Sequence, residues 1–185
     1  MSANLPPIST TYSSDQDWRP HDPGLYSWVH GTPAVMLAPW PQQLRWQARD
    51  CLARGLNQLA VLLSQVSCEL HTENALSELL KAKGDPRLAA AVLRLLRRST
   101  TLIDKDCRRI WGDFTGDYPA GRPELTLAAA PWWDDWKRAR DLRNEVAHQG
   151  LAVSTEQATS AFDAAERYID HVLATAAKGP IDAPP

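Results

Sequence analysis

The fold is decided by residues 131–176, which read PWWDDWKRARDLRNEVAHQGLAVSTEQATSAFDAAERYIDHVLATA. Apolar residues recur every three or four positions in each half of this stretch, as on one face of an α-helix. Gln149-Gly150 ends the first helix near residue 147, and Ser154-Thr155-Glu156-Gln157 is a capping box that opens the second. The stretch therefore predicts two amphipathic helices that need further helices to cover their apolar faces. The apolar positions are Trp132, Trp136, Ala139, Leu142 and Val146, then Ala158, Phe162, Ala165, Ile169, Val172 and Ala176.

The residues before this stretch also have a helical period. Spacings of three and four between Leu44 and Val66 predict a helix of about 25 residues with Pro41 in its first turn. A shorter helix over 73–83, ended by Gly84, is expected to follow. Asp85-Pro86 is typical of an N-cap and an N1 proline, so a second long helix is predicted to begin there and to extend to Ile110. Three glycines and two prolines over 112–130 predict a long loop.

The first 41 residues differ from the rest because they hold seven of the 14 prolines. Proline fixes φ and removes a backbone donor, which excludes a long helix or a central strand there. The segment also contains Trp18, Trp28 and Trp40, which favours an extended arm that packs on the domain. The sequence thus predicts an all-α protein. Residues 1–41 form the proline-rich N-terminal arm, 42–177 an antiparallel bundle of four to five helices, and 178–185 a disordered tail.

Composition narrows the function classes. The 185 residues carry 20 Lys and Arg against 22 Asp and Glu, a net charge of −2, which argues against non-specific coating of nucleic acid but allows a local basic face. There is no apolar run of the roughly 18 residues that span a bilayer, and the N-terminus lacks the pattern of a signal peptide. The three cysteines are too few and too far apart for a disulfide framework or a zinc knuckle. We therefore expect a cytoplasmic protein without a metal or other cofactor.

The sharpest local feature is a set of three polar residues where the first helix of the quoted stretch ends. Arg143, Asn144 and His148 lie there, followed by Gln149-Gly150. Asn144 and His148 are four apart and share a helix face. Arg143 and His148 are five apart, so on a regular helix they diverge by about 140° and converge only if His148 lies on an unwinding last turn.

Arg143-Asn144-x-x-x-His148 resembles the R-x4-6-H motif of the HEPN superfamily, in which a polar residue commonly follows the arginine. In that family the motif lies at the end of the third main helix of a four- or five-helix bundle, and an amphipathic helix follows. The likeness covers roughly residues 42–177 in architecture and is specific over 142–150. Many such domains are metal-independent endoribonucleases of toxin–antitoxin or antiviral systems, and they typically dimerise so that two motifs face each other in one cleft.

The resemblance implies a role for each residue. His148 would be the general acid/base, Arg143 would bind the phosphate and stabilise its charge, and Asn144 would orient the histidine or the phosphate. The chemistry is reasonable because RNA supplies its own nucleophile, the 2′-OH, and a neutral imidazole can accept that proton near neutral pH. An arginine fork can hold two phosphate oxygens as charge develops, and no metal is needed. Products would carry a 2′,3′-cyclic phosphate and a 5′-OH. The expected partners are RNA, a second copy of the chain and an antitoxin or defence protein.

A stripe of positive residues on the second long helix is the candidate RNA-backbone track. Its members are separated by 7, 4, 7 and 4 positions and share one face of a continuous helix: Arg87, Arg94, Arg98, Lys105 and Arg109. A solvated face paired with neighbouring carboxylates explains the same stripe. Trp132-Trp133-Asp134-Asp135-Trp136 suits either base stacking or packing in a core or dimer interface, with packing favoured.

Several observations keep other functions open. One branch of the family has a tyrosine two residues after the histidine, the target of a partner nucleotidyltransferase, and here Gly150 occupies that position. His148 is also explained as a helix C-terminal residue favoured by the macrodipole, with Arg143 paired to Glu145 or Asp141. A non-catalytic HEPN-like module that dimerises and binds a protein or nucleotide is the second hypothesis, and a helical adaptor unrelated to that family is the third.

Overall fold

The computed structural model describes residues 26–29, 32–35, 39–84, 87, 91–94, 101–122 and 127–181. The chain divides into two compact units, Met1–Ala38 and Pro39–Pro185. Within the described residues, none of the helices is long and apolar enough to cross a membrane.

The smaller unit contains a β-hairpin. Strands β1 (Tyr26–Val29) and β2 (Thr32–Val35) are antiparallel, with Tyr26 opposite Val35 and Val29 opposite Thr32. The sequence predicts an extended arm without a long helix or a central strand, and the hairpin adds two short edge strands that were not predicted. Aromatic and β-branched residues favour strands, and Pro33 is tolerated because both strands of a two-stranded sheet are edges. Trp40 and Pro41, which were assigned to the arm, begin the first helix of the larger unit, and residues 1–25, 30–31 and 36–38 lie outside the described residues.

Apart from an isolated β-bridge between Arg122 and Leu127, the regular secondary structure among the described residues of the larger unit is helical, which confirms the all-α class for these residues. Further helical residues occur at Arg87 and at 91–94, between the second and third of the helices whose limits are known. Those helices are α1 (Trp40–Ala53), α2 (Asn57–Lys83), α3 (Lys105–Thr115), α4 (Trp133–Gln149) and α5 (Thr155–Ala176).

The boundary between α1 and α2 corrects the first predicted helix, which was expected to continue from residue 42 to about 66. Gly55 has φ +72°, a left-handed conformation that glycine adopts without strain, and Leu56 N donates to Cys51 O at 2.8 Å. The helix therefore ends at Ala53 and restarts at Asn57. Apolar spacing alone could not reveal this turn, because Gly55 falls in register with the helical stripe on either side. The separate helix expected over 73–83 is the second half of α2.

The predicted long helix from residue 85 to Ile110 is also not continuous. Thr101–Asp104 is a turn, and Asp104 caps α3 by accepting hydrogen bonds from the N–H groups of Asp106 and Cys107 at 2.9 and 3.0 Å. Asp104, which the prediction placed inside a helix, is thus the N-cap residue of α3. Asp85-Pro86 lies outside the described residues. Of the predicted loop over 112–130, the first four residues belong to α3, and Gly116 ends that helix at φ +69°.

The bundle is held together by side chains that link distant parts of the chain. α1 and α2 run antiparallel, with Ser67 donating to the carbonyl of Pro41 at 2.9 Å. Arg45 of α1 forms a two-point ion pair with Glu166 of α5, at 2.6 and 2.9 Å. The predicted capping box at the start of α5 is confirmed, with Gln157 N donating to Ser154 Oγ at 3.1 Å and Ser154 N to Gln157 Oε1 at 3.0 Å.

The core has a large aromatic cluster and a smaller aliphatic one. In the larger cluster, Trp136 stacks on Tyr168 with ring centroids 4.2 Å apart, and the Tyr168 hydroxyl is hydrogen-bonded to Thr72 Oγ1 at 2.7 Å. Trp133 and Trp136 are buried and Trp132 packs against the same cluster, which confirms the packing predicted for residues 132–136, and Trp111 is buried in the same cluster. The smaller cluster joins Val61 of α2, Ala139 of α4 and the first turns of α5. The three cysteines are buried and free, as expected of small hydrophobes.

Candidate functional site

The candidate motif occupies the last two turns of α4. The helix continues to Gln149 and ends at Gly150, whose φ is +65° and whose N–H donates to Val146 O at 3.1 Å. The predicted end at Gln149-Gly150 is confirmed. His148 lies within the helix, so the unwinding that would bring it toward Arg143 is absent. The two side chains of one chain therefore leave α4 about 140° apart.

Arg143 faces α2. Its Nη1 donates to Asn144 Oδ1 at 3.1 Å, and its Nη2 lies 3.8 Å from Glu69 Oε1. The side chain is 28% exposed, and its Nε is buried without a hydrogen-bond partner among the described residues. The pairing expected with Glu145 or Asp141 under the surface interpretation is replaced by one with Glu69.

Asn144 and His148 complete the motif. Asn144 is half-buried and uses its side-chain oxygen to hold Arg143. His148 is exposed, and in the part of the chain that the structure describes it forms no hydrogen bond or ion pair. The structure thus joins Arg143 to Asn144 and leaves the imidazole of His148 open to solvent. An exposed, unengaged imidazole is accessible for proton transfer with a bound substrate.

The start of α2 holds the loop that follows the motif. Gln58 Nε2 donates to the carbonyl of Leu151 at 2.8 Å, and Asn57 Nδ2 donates to that of Val153 at 3.0 Å. Since Asn57 and Gln58 begin α2 while Glu69 contacts Arg143 farther along, α2 and α4 run antiparallel. These two amides hold the loop that follows α4 against the start of α2.

An apolar groove lies beside this loop. It has a volume of about 400 Å³ and is lined chiefly by Leu56, Leu59, Leu62, Ala152 and Val153. Leu56 and Leu59 are among the exposed large hydrophobic residues. Exposed apolar side chains that gather in one place are typical of interaction surfaces.

The basic residues are distributed differently from the prediction. Arg98 lies outside the described residues, and Arg87 and Arg94 are exposed in the segment before the turn at 101–104. Lys105 and Arg109 are exposed on α3, after that turn. Because the turn at 101–104 interrupts the helix, the spacing no longer implies that Lys105 and Arg109 share a face with Arg87 and Arg94, and RNA binding by these residues stays a prediction.

The charges on the first half of α4 are paired locally, as expected of a solvated face. Lys137 lies 3.2 Å from Asp134, and Arg138 forms an ion pair with Asp135. Arg140 lies 3.3 Å from Asp141. Arg143, in contrast, is paired with Glu69 of α2.

A second polar cluster was not foreseen from the sequence. His171 Nε2 lies 2.8 Å from Asp117 Oδ2, and Trp111 Nε1 donates to the same oxygen at 2.8 Å. Burial on its own raises the pKa of the Asp117 carboxyl, but the hydrogen bonds from His171 and Trp111 outweigh it and hold that pKa below its usual value. His171 and Asp117 are 54 positions apart in the chain. No local motif could have indicated that pair.

Among the residues that the structure describes, no three His, Cys, Asp or Glu side chains gather where they could hold a metal ion. Comparison with protein-family models, with curated proteins and with solved structures yields no match for this chain.

Proposed function

We propose that this protein is a cytoplasmic, metal-independent endoribonuclease of the HEPN type, acting in a toxin–antitoxin or antiviral defence system. The observation that carries the proposal is the arrangement of Arg143, Asn144 and His148 at the end of α4, with the arginine held by the asparagine and the histidine open to solvent. The helices of the larger unit support the all-α part of the architecture that the motif resemblance implies, although the motif ends the fourth of the helices with known limits and not the third.

The reaction requires a base, an acid and a group that stabilises charge. His148 would take the proton of the RNA 2′-OH, whose oxygen attacks the adjacent phosphorus and expels the 5′-oxygen. An acid then donates a proton to the 5′-oxygen as it leaves. Arg143 would hold the non-bridging oxygens as charge develops on them. The products are an RNA ending in a 2′,3′-cyclic phosphate and one beginning with a 5′-OH.

A second copy of the chain completes the site in this proposal. Because Arg143 and His148 diverge by about 140° on α4, one copy does not direct both side chains at the same phosphate. Two motifs facing each other would supply an arginine and a histidine from different copies to one cleft. A dimer would also provide both an acid and a base.

Incubation of the purified protein with a random-sequence, single-stranded RNA pool in the presence of EDTA tests the proposal. We expect cleavage with cyclic-phosphate and 5′-OH ends, and at least a hundredfold loss of rate in His148→Ala and in Arg143→Ala, the scale usual for acid–base and charge-stabilising groups. Gln149→Ala is the matched control, because it truncates the next exposed residue of the same turn and should leave the rate unchanged. Equal rates for wild type and His148→Ala would exclude the assignment.

A non-catalytic helical module is the second candidate, and two observations favour it. The Nε of Arg143 is buried, which suits a structural arginine, and the groove at Leu56 and Leu59 suits a protein partner. This function predicts that wild type and His148→Ala are equally inert toward RNA. It also predicts that a charged substitution such as Leu59→Glu abolishes self-association or partner binding while the fold, followed by circular dichroism, is retained.

A further inference from the structure

The guanidinium of Arg143 already faces a carboxylate. Its Nη2 lies 3.8 Å from Glu69 Oε1, while its Nη1 donates to Asn144. Glu69 is the one acidic residue that pairs with Arg143 in the described part of the chain. The guanidinium that would bind the phosphate in the proposed reaction therefore already faces a negative charge on α2.

The contact is one that an incoming anion can replace. A separation of 3.8 Å is too long for a hydrogen bond, so the attraction is between charges rather than between fixed donor and acceptor. Both partners reach solvent, with 28% of the Arg143 side chain and 40% of the Glu69 side chain exposed. Exposed or half-exposed pairs of this kind are weak and are screened by salt.

We propose that Glu69 competes with the RNA phosphate for Arg143 and thereby restrains RNA binding at this site. The inference rests on the proposed function and identifies a residue that regulates it. A carboxylate and a phosphodiester each offer two oxygens that match the guanidinium fork. Only one of them can face Arg143 closely, and an ionised Glu69 also repels a phosphate that approaches it. Binding of RNA therefore requires Glu69 to turn away into solvent.

Glu69→Gln removes the charge and retains the size of the side chain. In the full-length protein, we expect it to tighten binding of a labelled random-sequence, single-stranded RNA pool by about twofold to fivefold at low salt, the range that loss of one partly exposed charge contact allows. The gain should shrink as salt is added. Glu73→Gln is the matched control. It makes the same charge change one turn later on α2, and Glu73 forms no ion pair with Arg143 among the described residues.

Dependence on Arg143 gives the sharper readout. In an Arg143→Ala background, Glu69→Gln should change the dissociation constant no more than Glu73→Gln does, because the competitor has lost its target. If Glu69→Gln and Glu73→Gln have equal dissociation constants in the wild-type background, or if Glu69→Gln weakens binding, the competition is overturned. RNA binding by the wild type would then leave the proposed function intact. If the wild type and all variants neither bind nor cleave the pool, both proposals are overturned.

Discussion

The two ends of α4 are built differently. At its beginning, Trp133 and Trp136 are buried, and Trp136 stacks on Tyr168. At its end, Arg143 is half-buried and His148 is exposed, and an apolar groove opens beside the following loop. The packed end supplies most of the burial, whereas the polar end has groups that solvent and ligands can reach. Substitutions should therefore cost stability at the first end and affect function at the second.

Trp136→Ala should produce the largest effect on folding. It removes a fully buried aromatic ring and its stack on Tyr168, so we expect the free energy of unfolding to fall by about 3–5 kcal/mol. Urea denaturation followed by circular dichroism measures the change. Trp40→Ala is the control, since Trp40 at the start of α1 is 57% exposed and its truncation should cost less than about 1 kcal/mol. Equal losses in the two variants would show that the buried stack at the packed end of α4 contributes no more to stability than an exposed tryptophan.

Asp117→Asn should have an intermediate effect that depends on pH. The carboxylate accepts hydrogen bonds from His171 and Trp111, and we expect the variant to lose about 1–2 kcal/mol of unfolding free energy at pH 7. Because the folded-state pKa of Asp117 lies below its ordinary value of 3.8, the stabilisation is present above that value. It disappears as pH falls through the folded-state pKa.

Urea titrations at pH 7 and at successively lower pH follow the difference between wild type and Asp117→Asn. Asp113→Asn is the control, because Asp113 is an exposed carboxylate on α3 and should show neither the loss nor its pH dependence. A difference for Asp117→Asn that stays constant down to the acid transition would show that the ionised carboxylate is not the stabilising species.

Helix content and helix ends could be predicted where a local signal was strong. Gly150 and the Ser154–Gln157 box mark α4 and α5 in the sequence, and both act as expected. Gly55 and Asp104 carry the same types of signal, but Gly55 falls in register with an apolar stripe that continues on both sides, and Asp104 lies inside a stretch whose spacing favours one continuous helix. The spacing of apolar residues therefore predicted one continuous helix in each of these two places, where the backbone forms a turn. The β-hairpin was missed because proline-rich segments give no clear strand alternation.

The site was predictable only as far as neighbours along α4. The sequence predicts that Arg143, Asn144 and His148 lie close together near the end of a helix, and in the structure they lie in the last two turns of α4. Glu69, which contacts Arg143, is 74 positions earlier in the chain, and the pairing of Asp117 with His171 is equally non-local. Such contacts depend on how helices pack, and a single sequence carries no direct signal for them.

His148→Ala should have the smallest effect on folding. His148 is exposed and, among the described residues, forms no hydrogen bond or ion pair, so the expected change in unfolding free energy is at most about 0.5–1 kcal/mol, the contribution of a histidine to a helix C-terminus. Thermal unfolding of wild type, His148→Ala and Gln149→Ala measures it. A variant that folds as well as the wild type but no longer cleaves RNA would attribute the loss to the imidazole itself. A large drop in stability would instead mean that His148 supports the end of α4, and the contrast between the two ends of that helix would not hold.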